Sequence, residues 1–478
     1  MLTLSTLNLW IITIVGIIYW LTIINLILII ISGNRNPTKT IAWISILIAL
    51  PGIGIIIYTF FGQDHRKHRI VSFKAYRRIT KGISNNIISS KQHKLPEQYN
   101  NIKNLIKNSN NSPLLSASTL QIFNEGNEKI KQLIKDIQQA KHSIHIQYYI
   151  FENDQTGSTI IKELADKARQ GIKVRIIYDG VGSWNINKKT IRNIRNQGIE
   201  IYGFLNVVFP KLTSKINYRN HRKIVVIDNN IGYIGGMNIA DRYTKGLDWG
   251  TWKDLHFRIT GEATLGLQQI FLLDWYVVSK QTINNAKESP TPTTTDNYLI
   301  QIIPSGPTRS WRTLLQTIIY LICNAKKYIY IQSPYLIPPE SLNTAIKTAA
   351  LAGIVVRLMI PQHSDSKLVH YATKSYITEM LTAGVKIMLY NKGFLHSKLI
   401  ISDDNISCIG SANMDFRSFE NNFEVNAIVY SNDITTQLKN IFHDDSKHCT
   451  KLDISQWKKR SKREKLSESF LRIFSPIL

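Results

Sequence analysis

The chain has 478 residues, 44% of them hydrophobic, with a formal net charge of +26. That length and apolar content support two cores of ordinary size, while three widely spaced cysteines, Cys323, Cys408 and Cys449, exclude a disulfide framework and a cysteine metal site. The basic excess calls for a polyanionic partner, either nucleic acid or an anionic membrane surface.

In chain order, the first element decides between those partners. Residues 9–31, LWIITIVGIIYWLTIINLILIII, are apolar and uncharged, and about 20 such residues cross a bilayer as a helix. A second apolar run, residues 41–61, is interrupted by Pro51, Gly52 and Gly54, so a kinked or re-entrant segment is expected. Together they predict a membrane hairpin over 1–62. Its loop carries only Arg35 and Lys39. The exit carries Arg66, Lys67, Arg69, Lys74, Arg77, Arg78 and Lys81. Basic residues stay cytoplasmic, which places the body and the N-terminus there, with the basic linker 63–113 near anionic headgroups.

Beyond the linker the chain is a duplication. Polar stretches near 105–115 and 287–297 bracket one half at 114–286 and another at 298–450. AKHSIHIQYYIF at Ala140 echoes AKKYIYIQSPYL at Ala325, and QGIKVRIIYDG at Gln170 echoes AGIVVRLMIPQ at Ala352. In the second pair a helix ends at glycine and a buried-type strand follows. Strands alternating with helices predict an α/β fold in each half. The tail, 451–478, is basic, with Leu466, Phe470 and Ile473 at helical spacing. It reads equally as a membrane-surface helix or as a solvated cap on the last domain.

Each half holds one compact motif. The first is His221, Lys223, Asp228, Gly235, Gly236 and Asn238; the second is His396, Lys398, Asp403, Gly410, Ser411 and Asn413. Subtracting 221 from 396 gives 175, and every member shifts by that same 175. The flanking echoes drift instead, Ala140 to Ala325 by 185 and Gly171 to Gly353 by 182. Insertions therefore accumulate around the motif and not inside it. HRKIVVID and HSKLIISD read as strands, where residues two apart share a face. His and Lys then point together, and a hairpin returns the Asn beside them.

Taken singly, a His-x-Lys pair is an ordinary surface pair, and each aspartate serves as well to cap a turn. Two matched copies facing each other bring two imidazoles, two ammonium groups and two carboxamides to one cleft. That set suits phosphodiester chemistry without a metal. One imidazole attacks phosphorus, the other protonates the leaving alkoxide, and the lysines and asparagines balance charge on the oxygens.

HRKIVVID…GGMN and HSKLIISD…GSAN resemble the paired HxKxxxxD motifs of the phospholipase D superfamily, with the bacterial cardiolipin synthase branch the nearest match. Residues 36–62, GMNIADRY, DFRSFENNFEVN and the closing FSPIL are similar to that branch's other landmarks. The resemblance implies two duplicated phospholipase D-like sandwich domains, each a mixed sheet flanked by helices, packed as a pseudo-dimer behind a transmembrane hairpin. It implies phosphatidyl transfer between two phosphatidylglycerols, giving cardiolipin and glycerol through a phosphohistidine. His221 would be the nucleophile and His396 the acid, within a catalytic set that includes Lys223, Asp228, Lys398 and Asp403. Asn238, Asn413 and Ser411 would bind phosphate, while Glu424 and Asp254 would orient the partner imidazoles. It implies no metal or other cofactor, no nucleic acid, and a place in the bacterial inner membrane as a multi-pass protein with a cytoplasmic body. Thr308, Arg309 and Ser397 depart from the branch pattern and bear on substrate preference. The alternatives are a membrane-anchored phospholipase or other phosphatidyltransferase using water or another alcohol as acceptor, a nuclease with the same site, which would need no bilayer hairpin, and a non-enzymatic anionic-lipid tether.

Overall fold

A computed structural model describes residues 4–33, 36–62, 71–72, 75–79, 93–204, 217–283 and 297–476. Most of the basic exit from the hairpin (66–70, 74, 81), Arg35, and the stretch 287–296 lie outside the described residues. The N-terminal helices form one compact unit, and the two halves together form another.

In the N-terminal unit, Leu4–Ser32 is one uninterrupted helix, and its Asn8–Ser32 portion is long and apolar enough to cross a membrane. The second run breaks where Pro51 and its glycines predict. Pro37–Ala49 is helical, capped by the Asn36 side chain on the amides of Thr38 and Lys39. The chain then turns through Pro51 and Gly52 and resumes as Ile53–Ile57, with a π-helical turn at Tyr58–Gly62. At 1.5 Å per residue, the 13-residue piece is about 20 Å long, short of the roughly 30 Å hydrocarbon core. Ile23, Ile30, Leu47 and Tyr58 bury one another between the arms.

The two halves share one strand order. The first sheet runs Thr119–Phe123, His256–Thr260, Ile231–Gly235, Ile224–Ile227, Ser143–Tyr148, Lys173–Asp179 and Glu200–Phe204. The second repeats it as Tyr298–Ser305, Asn422–Tyr430, Ile406–Gly410, Leu399–Ser402, Tyr328–Gln332, Val355–Pro361 and Lys386–Tyr390. The last three strands of each array are parallel and the others antiparallel. The second sheet gains Cys449–Lys451 at one edge and Leu115–Ala117 at the other. That edge strand precedes the first half's sheet in the chain yet pairs with the second half's.

Alternation along the strands divides the apolar side chains among separate cores. Ile224 and Val226 face the same cluster as Leu399, Ile401, Val425 and Ala427, so the sheets of the two halves share an apolar interface. Val225 and Ile227 face outward onto helices Gly126–Gln139 and Gln155–Arg169, and Ile400 onto Thr313–Asn324 and Glu340–Leu351. Strands buried on both faces have no solvent side, which is why they read as near-continuous apolar runs. The helices before two of the parallel strands end at Gly171 (φ 87°) and Gly353 (φ 91°), left-handed positions that glycine occupies without steric cost. The tail forms a helix, Lys462–Arg472, with a Ser461–Glu464 capping box. Arg472 reaches Glu379 at 2.6 Å on helix Lys367–Thr382, while Leu466, Phe470 and Ile473 stay exposed.

Candidate active site

The motif strands begin at one end of the sheets, and there the halves are stitched together. Arg219–Asn220 lies parallel to Asn422–Phe423, and the His221 amide donates to the Phe423 carbonyl at 2.9 Å. Symmetrically, Gly393–Leu395 lies parallel to Thr251–Lys253, and the His396 amide donates to the Lys253 carbonyl at 2.7 Å. Each histidine therefore sits beside the residue that follows the stitch on the opposite half, which is an acid in both cases.

The side chains meet accordingly. His221 Nδ1 lies 3.0–3.1 Å from both Glu424 oxygens, and His396 Nδ1 lies 2.6 Å from Asp254 Oδ2. Both carboxylates come from the other half and are fully or almost fully buried. With Nδ1 occupied, Nε2 is the ring nitrogen left for a substrate. Lys223 Nζ donates to the His221 carbonyl at 2.7 Å. Lys398 Nζ lies 2.8 Å from His396 Nδ1 and 3.8 Å from Asp254. Aromatic rings wall the imidazoles: Tyr149 beside His221 at 4.8 Å, and Trp252 and Phe394 beside His396 at 5.2 and 5.6 Å between ring centres.

Burial dominates the electrostatics. It lowers Lys223 to about 7, with Glu424 opposing and Lys398 adding to the fall, and lowers Lys398 to about 8. Both imidazoles are pushed down, first by burial and then by the lysines; His396 also feels His221. The two carboxylates part company. Burial raises Asp254 to about 6, whereas in Glu424 the His221 and Lys223 charges and the Ser411 hydroxyl overcome burial and hold it below its ordinary value. Local packing explains part of the difference. Ser411 donates to Glu424. At the matching position a Cβ on Gly236 would lie 2.1 Å from Asp254 Oδ1, so glycine leaves room for the carboxylate and supplies no donor.

The structure gives three sets of the expected site residues partners within the protein. Asp228 and Asp403 do not join the histidines and lysines; they sit at the opposite end of the motif strands. Asp228 accepts the amides of Lys141, His142 and Ser143 at 2.7–2.9 Å, and Asp403 those of Lys326, Lys327 and Tyr328 at 2.8–2.9 Å. Both adopt φ 52°, a left-handed turn that Asp tolerates. Ser411, expected on phosphate, spends its hydroxyl proton on Glu424, because a buried carboxylate needs donors. The asparagines are engaged within the protein: Asn238 donates to the Tyr243 hydroxyl at 2.5 Å and accepts from the Ile150 amide, while Asn413 donates to Asp415 at 3.1 Å and leaves its buried oxygen without a partner.

Some site residues escaped the sequence reading. Gln147 and Gln332 are each the eighth residue of the corresponding segments that start at Ala140 and Ala325, offset by the same 185. Each donates to a buried acid of its own half's last helix, Asp274 at 2.6 Å and Asp445 at 3.0 Å. Arg222, inside the first motif, pairs with Asp274 at 2.5 Å, and Lys253 of the first half crosses to Asp445 of the second at 3.3 Å. The repeat offset alone could have flagged the glutamines. Among the described residues no group of three or more His, Cys, Asp or Glu side chains could hold a metal ion.

Comparison with known proteins agrees with this architecture. A family model described as cardiolipin synthase, PLD-like domain, matches residues 133–249 and 318–446, and one described as phospholipase D-nuclease N-terminal matches 9–63. The chain is 39% identical to a cardiolipin synthase of Alkalihalophilus pseudofirmus, covering 98% of this chain and 95% of that one. It is 38% identical to one of Geobacillus kaustophilus, covering 96% and 92%. The solved phosphatidylserine synthase of Haemophilus influenzae shares the fold, with a TM-score of 0.60 at 16% identity over 79% of this chain and all of that one.

Proposed function

Because the chain belongs to the phospholipase D-like cardiolipin synthase family, we propose that it is a cardiolipin synthase joining two phosphatidylglycerols and releasing glycerol. His221 Nε2 attacks the phosphorus of the first lipid; the bond from phosphorus to the headgroup glycerol oxygen breaks, and His396 protonates that oxygen. The headgroup hydroxyl of the second lipid then gives its proton to His396 and attacks phosphorus. The phosphorus–nitrogen bond breaks, returning His221 and forming cardiolipin. Lys223 and Lys398 carry the positive charge that meets the phosphodiester, with Asn238 and Asn413 as further donors once their internal bonds open.

The observation that carries this reading is the crossed pair of imidazole–carboxylate contacts, in which a carboxylate of each half orients the imidazole of the other. Their asymmetry supports the order of events. Glu424, held below its ordinary value, balances the charge His221 gains on bonding phosphorus, whereas Asp254, raised to about 6, holds a proton to higher pH than Glu424 does. The apolar helix Asn8–Ser32 keeps the body at the membrane, and the excess of basic residues after the hairpin supports a multi-pass anchor with a cytoplasmic body.

Purified protein given labelled phosphatidylglycerol tests the proposal. Wild type should yield cardiolipin and glycerol, a reaction quenched with denaturing detergent at neutral pH should carry phosphorus label on His221, and His221→Ala and His396→Ala should be inert. Phosphatidic acid as the main product would replace the transferase with a hydrolase; equal turnover by either variant would end the paired-imidazole mechanism.

A further inference from the structure

Three loops leave the sheets at the end where the histidines meet. Residues 180–187 follow Lys173–Asp179, and Asp179 accepts the Asn220 amide at 2.8 Å next to His221. Residues 306–312 follow Ser305, which lies opposite Glu424 in the ladder. Residues 246–250 lead into Thr251–Lys253 and so into Asp254. Each loop presents one tryptophan to solvent: Trp184 is 81% exposed, Trp311 58% and Trp249 49%. Trp249 touches Phe394 at 6.5 Å, and Phe394 touches His396. Among the described residues of 114–450, these are the exposed tryptophans and phenylalanines; none sits at the opposite end of the sheets.

A single exposed apolar side chain is ordinary, but three exposed indoles gathered at one end of the fold mark an interaction surface. Tryptophan partitions to the headgroup level of bilayers, where its ring is half in hydrocarbon and its N–H meets water. Exposed lysines flank the rings: Lys188 and Lys189 after Trp184, and Lys245 and Lys392 near Trp249. Aromatic tips with basic flanks match an anionic lipid surface in both polarity and charge.

We infer that Trp184, Trp249 and Trp311 form a docking rim that seats the mouth of the site on an anionic bilayer, so that phospholipid passes from the leaflet to the histidines without crossing bulk water. This rests on the phosphatidyltransferase reading and adds the surface by which that site meets its substrate.

The test uses the full chain and the double variant Trp184→Ser/Trp311→Ser in two arms. One arm is protein reconstituted in phosphatidylglycerol vesicles containing lipid brominated at the upper acyl chain. The other is detergent-solubilised protein with dihexanoyl phosphatidylglycerol below its micellar concentration. The expected result is at least tenfold loss of turnover in vesicles, turnover within twofold of wild type on dispersed lipid, and a smaller bromine-quenched share of tryptophan fluorescence in the variant. Unchanged vesicle turnover, or a quenched share equal to wild type, overturns the rim; so does equal loss in both arms, which would put the indoles in the substrate pocket. If wild type turns over neither lipid, the transferase reading fails, and the quenching comparison decides docking by itself.

Discussion

Replacing Glu424 with glutamine keeps the volume and removes one charge. The carboxylate is fully buried and receives His221 Nδ1, the Ser411 hydroxyl and Asn422 Nδ2. A hydrogen bond to a charged group contributes about 1.5–3 kcal/mol, and losing the one that orients the attacking ring lowers kcat/KM roughly ten- to a hundredfold. The charge matters separately. Burial has already brought Lys223 down to about 7, and Glu424 is the strongest charge opposing that fall. The ammonium form binds phosphodiester; it is present below its pKa and lost above it. Wild-type kcat/KM measured from pH 5 to 9 should therefore decline as pH rises past about 7, and in Glu424→Gln the decline should begin at lower pH. A variant within threefold of wild type with an unmoved basic limb would refute the reasoning, because neither the orientation nor the charge would then matter.

Gly236→Ala drives a methyl into Asp254, so turnover should fall by at least tenfold while the matched Ser411→Ala, which removes a donor and adds no bulk, costs less; comparable losses would contradict the steric argument. Asp403→Ala strips three backbone amides of their acceptor and should destabilise the fold by about 2–4 kcal/mol, read as a lower Tm, with turnover per folded molecule close to wild type; an inert but equally stable variant would return Asp403 to the catalytic set. Lys129 is wholly buried, donates to the Tyr148 hydroxyl at 2.8 Å and is lowered by burial to about 7 from an ordinary 10.5. Its folded form binds the proton less tightly than the unfolded chain, so the penalty is complete below pH 7 and shrinks as pH rises toward 10.5. Lys129→Met should therefore raise Tm most at pH 6 and progressively less at pH 8 and 9; a gain that grows with pH would reverse the sign of the argument.

Much of this molecule was legible in one dimension. The constant offset of 175 between the motifs identified the duplication and the His, Lys and Asn positions, because a turn-linked strand pair tolerates no insertion without losing register. Pro51, Gly52 and Gly54 located the break in the second apolar arm for the local reason that they end helices. What spacing cannot encode is which end of a strand faces a partner. Asp228 and Asp403 recur as faithfully as the histidines, yet they tie their strand to the amides at 141–143 and 326–328, since a strand delivers its two ends to different places. Only packing the sheets through the shared apolar face of Ile224, Ile401, Val425 and their neighbours set Glu424 on His221 and Asp254 on His396. Those contacts join residues 203 and 142 positions apart, and Ser411 or Gly236 behind each carboxylate then made chemically similar pairs unequal.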